Sequence, residues 1–267
     1  MVGNVYFELT EEFNAAGPTV LLASGQAVVY HRIAIMSKDG DWVVRETPDA
    51  CRRVLEVLGC RGARYRPSAP LDVRWLAGGW SSHFEFFDER KRRIRCDFFS
   101  RPPRLPRAVI DGLFERGRGH PLAVVDVEPL ILMKQTQRAK DYAVIGELSR
   151  LLPPERELAL TTDPDRVLEL APRFGSAMDR PAVLAALAGE RDPVVVALAR
   201  EADRLQAEDR RRLRVYEDAA AEYLGRLRQD GLTEKPLAEA QERAVRLAES
   251  CLPRHPLPED EADAAAQ

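Results

Sequence analysis

Two aspartates, Asp39 and Asp41, sit two residues apart in Ser37-Lys38-Asp39-Gly40-Asp41, just ahead of the strand-like run Trp42-Val43-Val44. In a strand, residues i and i+2 project from the same face, roughly 6.5 Å apart. Two carboxylates so placed present hard oxygen donors of the kind a divalent cation takes. A third acid, Asp97, lies in a second strand-like run, Arg93-Ile94-Arg95-Cys96-Asp97-Phe98-Phe99. Three carboxylates on one sheet are the apparatus of metal-assisted phosphoryl or nucleotidyl transfer. Two other readings stay open here. Asp39-Gly40 is also a good two-residue hairpin turn. Asp97, in an apolar strand, needs a partner and is either a metal ligand or the mate of an arginine.

The elements that would position these acids can be read around them. Thr19-Val20-Leu21-Leu22-Ala23 has the continuous apolar character of a buried strand. Ser24-Gly25 breaks it, and a helix through Gln26–Arg32 follows. Such a strand–Gly–helix joint gathers backbone N–H groups where a phosphate would be welcome. Tyr6–Asn14 reads as a leading amphipathic helix. Thr47-Pro48-Asp49 is an N-cap with proline at the first helical position, opening a helix that stops at Gly59. From Arg64 to Phe99 the pattern is β-like, with strands expected at Leu71–Leu76, His83–Phe86 and Ile94–Phe99. Val124–Val127 reads as a further short strand, leading into an apolar helix over Pro129–Lys134. The basic run Lys134-Gln135-Thr136-Gln137-Arg138-Ala139-Lys140-Asp141 precedes another helical spacing.

After Pro153 the composition turns to Arg, Glu, Ala and Leu, and helical periodicity takes over in Asp165–Leu170, Arg180–Ala188, Val194–Arg228 and Leu237–Leu252. The expected organisation is an α/β domain over 1–153, an all-α domain over 154–252 and a disordered tail over 253–267. The chain has 267 residues, 45% of them hydrophobic, and a formal net charge of −3, so its balance does not announce a nucleic-acid binder. The four cysteines lack CxxC spacing and read as reduced thiols of a cytoplasmic protein. No apolar run reaches the length of a membrane span, and the N-terminus has no signal-peptide pattern. His31 and His83 stand alone and read as structural, and Trp75 and Trp80 read as packing residues. No G-x-S-x-G, P-loop or dinucleotide-binding pattern is present.

Ser24-Gly25-Gln26-Ala27, Ser37-Lys38-Asp39-Gly40-Asp41, Asp97 and Arg138-Ala139-Lys140-Asp141 together resemble the minimal nucleotidyltransferase fold. Within that superfamily the resemblance is to the bacterial subgroup related to type IV toxin–antitoxin and abortive-infection nucleotidyltransferases. It covers residues 15–152, and it departs from the family pattern in Ser-Gly at the first turn and in Gly40 between the acids. The resemblance implies a mixed sheet flanked by helices and transfer of a nucleoside monophosphate from an NTP to a hydroxyl on RNA (tRNA included) or protein. It implies Mg²⁺ (Mn²⁺ as substitute) on Asp39, Asp41 and Asp97, with Asp97 also the base. Ser24, Gly25, Lys134, Arg138 and Lys140 would hold the nucleotide phosphates. A cognate antitoxin or other protein partner is expected on the helical domain, and no membrane. The alternative is a catalytically silent binding or regulatory module of the same fold.

Overall fold

The computed structural model of the protein describes residues 3–257. The leading helix α1 (Val5–Phe13) starts on the side chain of Asn4, which accepts from the Tyr6 amide. The apolar run forms β1 (Val20–Ala23), buried along its length, and passes directly into α2 (Ser24–Tyr30). Next come β2 (Gly40–Val44) and α3 (Pro48–Cys60), the latter capped as its Thr-Pro-Asp sequence predicts: Thr47 accepts from the Ala50 amide. Strand β3 (Arg64–Arg66), the short helix α4 (Val73–Leu76), and strands β4 (Ser82–Phe87) and β5 (Arg93–Phe99) follow.

Two β expectations are corrected. Leu71–Leu76 is not a strand: Asp72 caps α4 by accepting from the Arg74 amide, so local capping outweighs the β-branched composition. Val124 makes only an isolated bridge to Leu22, and Val127 already belongs to α6 (Val127–Lys134), which follows α5 (Arg107–Arg116). The remaining helices are α7 (Ala139–Ser149), α8 (Pro154–Leu160), α9 (Pro164–Phe174), α10 (Pro181–Leu187), the 39-residue α11 (Arg191–Gln229) and α12 (Leu237–Cys251). The architecture is α/β, a mixed five-stranded sheet flanked by helices, with an all-helical C-terminal region.

Sheet order is β1-β2-β5-β4-β3, with β2 and β5 parallel and every other pair antiparallel. One face carries an aromatic chain. Trp42 stacks on Phe98 with centroids 5.2 Å apart, Phe13 meets both edge-on, and Phe84 and Tyr65 extend the line across β4 and β3. Such pairs add about 0.5–1.5 kcal/mol each beyond their burial. The Trp42 Nε1–H donates to Thr10 Oγ1 at 2.8 Å, so the polar edge of the indole is satisfied inside the core.

The chain divides into two compact units, one running to Val125 and resuming at Arg214, the other Asp126–Leu213. These units do not follow the expected cut at 153. The first owns the sheet and the aromatic core, to which Tyr223, Leu227, Ala240, Ala244 and Leu252 also belong. The second has its own core of Leu158, Val167, Leu170, Val183, Val194 and neighbours. Composition changes near Pro153, but burial is shared by whichever helices meet, and the last helices return to the sheet's core. Trp75 and Trp80 are buried, donating to the Leu252 and Pro253 carbonyls. Pro253 is thus held at the start of the expected tail; residues 258–267 lie outside those described. Among the described residues, no helix is long and apolar enough to cross a membrane.

Asn14 fixes where β1 begins. Its Oδ1 accepts from the Thr19 and Val20 amides at 2.8 and 2.9 Å, and its Nδ2 donates to the Val20 and Pro121 carbonyls at 3.0 and 2.8 Å. The side chain is buried, so its removal strands four backbone groups. Asn14→Ala is expected to cost about 2–4 kcal/mol, several lost bonds at roughly 1 kcal/mol each. Urea denaturation with an unchanged m-value measures it; a loss under 0.5 kcal/mol would refute the role.

Candidate nucleotide site on the polar face of the sheet

Because β2 and β5 run parallel in register, Asp41 is the Cα partner of Asp97, Asp97 of His83, and His83 of Arg66. One residue from each of four strands therefore forms a row across the sheet. Paired residues on neighbouring strands share a face, and the alternation of buried and half-buried positions along β4 and β5 puts this row opposite the aromatic core. Asp39 precedes Asp41 by two residues, immediately before β2, as the spacing predicts. Gly40 is buried, pairs with Cys96 and starts β2. The hairpin-tip alternative is thereby excluded. A Cβ at Gly40 would lie 2.4 Å from the Trp42 ring and 2.5 Å from that of Tyr6, so the glycine makes room for the core beneath the acids.

The Ser24-Gly25 joint is physically attached to the acidic motif. Ser24 adopts φ +47°, a left-handed conformation that costs a non-glycine residue about 1–2 kcal/mol. Gly25 then approaches Ser37 so closely that a Cβ would lie 2.2 Å from its Oγ. From the next position Gln26 Nε2 donates to the Ser37 carbonyl at 2.9 Å, while its Oε1 accepts from Asn4 Nδ2 at 3.0 Å. Tyr6 donates its hydroxyl to the Lys38 carbonyl at 2.6 Å. The segment leading into Asp39 is thus held from α1 and α2 at once. Helix α2 begins at Ser24, one residue earlier than the glycine suggests.

Each flanking acid has a cationic neighbour. Arg66 donates through Nη1 to Asp97 Oδ1 at 3.1 Å, and His83 Nδ1 stands 2.7 Å from the same oxygen, off the line of a good hydrogen bond. His83 Nε2 lies 3.0 Å from Ser81 Oγ. Arg95 Nη1 is 3.5 Å from Asp39 Oδ1. Of the two alternatives for Asp97, the arginine mate is present. Carboxylate oxygens suit Mg²⁺ by donor type. Their arrangement is not a preformed cage: among the described residues, no three His, Cys, Asp or Glu side chains gather as a metal-holding group. The field of the acids is felt below the sheet. Burial first, then Asp97, pushes the Cys96 thiol well above its ordinary value, and Asp41 and Asp39 add to the shift.

Arg66, Arg95 and His83 are the residues that sequence reading did not connect to the acids. Their only signal is the alternation that puts them on the polar face; the partnership itself is a matter of register. Lys134, Arg138 and Lys140 belong to the second unit. There Asp141, buried, accepts from Thr136 Oγ1 and Arg138 Nε, each at 2.9 Å, with Lys134 Nζ at 3.6 Å. Lys134 is itself buried, so its charge serves this internal cluster, whereas Lys140 is exposed.

Tyr6 supplies a pH test of this framework. Burial first, then the charges of Cys96 and Asp39, push its hydroxyl up to about 12. The raised value means the neutral phenol stabilises the fold fully below pH 10 and loses that effect as pH climbs through about 12. Tyr6→Phe is expected to lower stability by about 1 kcal/mol at pH 7–9, and the deficit should shrink above pH 10. Urea midpoints of both proteins across pH 7–12 measure it, and a deficit that stays constant would refute the assignment.

No family model and no curated protein matches the chain. Two solved structures are similar to it. One is JHP933 from Helicobacter pylori, 11% identical at a TM-score of 0.39, covering 79% of this chain and 93% of that one. The other, also from H. pylori, is named "putative nucleotidyltransferase": 11% identical, TM-score 0.36, covering 78% of this chain and 96% of that one. At that identity and overlap the likeness says nothing of which residues act.

Proposed function

We propose that the polar face of the sheet is the site of a Mg²⁺-dependent nucleotidyltransferase, which moves a nucleoside monophosphate from an NTP to a hydroxyl on RNA or protein. The observation that carries this reading is the in-register pairing of Asp41 with Asp97, with Asp39 two residues before Asp41 and Gly25 packed on Ser37 beside them. The phosphate-suited joint at Ser24-Gly25, the acid pair at Asp39 and Asp41 and the distant Asp97 are thereby joined. In this reading Asp39, Asp41 and Asp97 hold the ion, which supplies neutralisation of triphosphate charge.

The chain's own residues do the rest. Ser24 and Gly25 receive phosphate oxygens. Arg66 holds Asp97 in the row by its hydrogen bond, and the clamp on the Lys38 carbonyl holds the segment before Asp39 in place. A toxin-like role with a cognate antitoxin, and a cytoplasmic location in keeping with four free thiols, complete the proposal. A second reading, a nucleotide-binding module without catalysis, is favoured by the cationic neighbours of Asp97 and Asp39 and by the lack of a preformed ion cage among the described residues.

Transfer distinguishes the two. Purified protein with Mg²⁺ or Mn²⁺, each α-labelled NTP and total RNA is expected to place label on RNA or protein. Asp39→Ala/Asp41→Ala should lower that signal at least about 100-fold, the scale of losing charge stabilisation in a transfer reaction. Binding of Mg²⁺–NTP without transfer would select the module; no binding with any NTP would sink both readings.

A further inference from the structure

Beyond the acid row, the same sheet face carries an array of arginines beside an exposed aromatic ring. In β3, β4 and β5 the positions facing this side include Arg64, Arg66, Arg93 and Arg95 against the carboxylates Glu85 and Asp97, with Asp39 ahead of β2 beside Arg95. Both carboxylates are already met by arginine: Arg93 Nη2 lies 2.6 Å and Arg66 Nε 3.5 Å from Glu85 Oε2, and Arg66 also reaches Asp97. Arg64 is exposed and has no carboxylate partner among the described residues. At one end of this group, on the last residue of β4, stands Phe87, 65% exposed, the Cα partner of Arg93. Its neighbour Phe86 points to the core and is buried, so Phe87 is not an overflow of that core.

We infer that this patch, Phe87 beside Arg93 with Arg64 and Arg95 in the next row, is a docking surface for single-stranded RNA. An exposed aromatic ring on an open sheet offers a stacking platform to an unpaired base, and the arginines beside it answer phosphate charge. The row containing Asp41 and Asp97 lies on the same strands and face, so RNA lying over Phe87 extends along β5 toward the acids. The patch rests on the nucleotidyltransferase reading for its meaning, naming RNA as the acceptor; its binding needs neither NTP nor metal.

The test is fluorescence anisotropy with a fluorescein-labelled 12-nucleotide oligouridylate, without Mg²⁺ or NTP, at 50 and 200 mM salt. Micromolar binding that weakens with salt is expected. Phe87→Ala should weaken it about tenfold, the scale of one lost base stack. Arg64→Glu should weaken it and lessen the salt dependence. Both side chains are exposed, so circular-dichroism melts should match wild type and show that the variants fold. No binding at 50 mM salt, variants that bind as wild type does, or equal binding of a 12-base-pair RNA duplex would each overturn the inference. Because the assay is free of nucleotide and metal, those failures are separate from any failure of transfer. RNA binding without transfer would preserve this surface and sink the enzyme.

Discussion

The parallel pairing of β2 with β5 is the constraint on which the rest depends. It sets Trp42 against Phe98 on one face and, one residue along, Asp41 against Asp97 on the other. The stacked rings lie in a core that excludes water, and their burial fixes the register, because a slip of one residue would turn every side chain to the wrong face. The acids inherit their adjacency from that packing. Two like charges side by side are unfavourable, and the arginine contributed by β3 offsets the repulsion. The sheet therefore holds its acidic row through hydrophobic stacking below and counter-charge above.

That arrangement has a chemical consequence. A carboxylate already engaged by a guanidinium is held in place, and it can exchange that partner for another cation. The segment before Asp39 is restrained independently, by Tyr6 on the Lys38 carbonyl and Gln26 on the Ser37 carbonyl. Gly25 and Gly40 serve this design by what they lack: a Cβ at either would collide with Ser37 or with Trp42 and Tyr6. Gly40, between the two acids, is the residue that lets the indole sit beneath them.

The second unit shows the same economy of charge. Asp141 collects Thr136, Arg138 and Lys134 at the start of α7, and Asp209, also buried, accepts from the Gln137 amide and from Arg212. The basic run is therefore largely a structural knot tying helix ends together, with paired charges as burial demands. A sequence of alternating basic and acidic residues does not say which of its charges face inward.

Much of this was legible in the chain alone. The capped start of α3, the continuous apolar run of β1, the alternation in β4 and β5, and the spacing of Asp39 and Asp41 are all local, and local propensity with periodicity determines them. The candidate acids, the glycine joint and the α/β class followed from those signals. What only the tertiary structure decided is partnership. That Asp97 lies between Asp41 and His83, that Arg66 reaches it, that Lys134 turns to Asp141, and that the last helices pack back on the first core are consequences of register and long-range burial. Contacts between residues 31 or 170 positions apart, such as Arg66 with Asp97 or Leu71 with Gln241, leave no periodic trace in a sequence, because strand order and helix packing are chosen by the whole core at once.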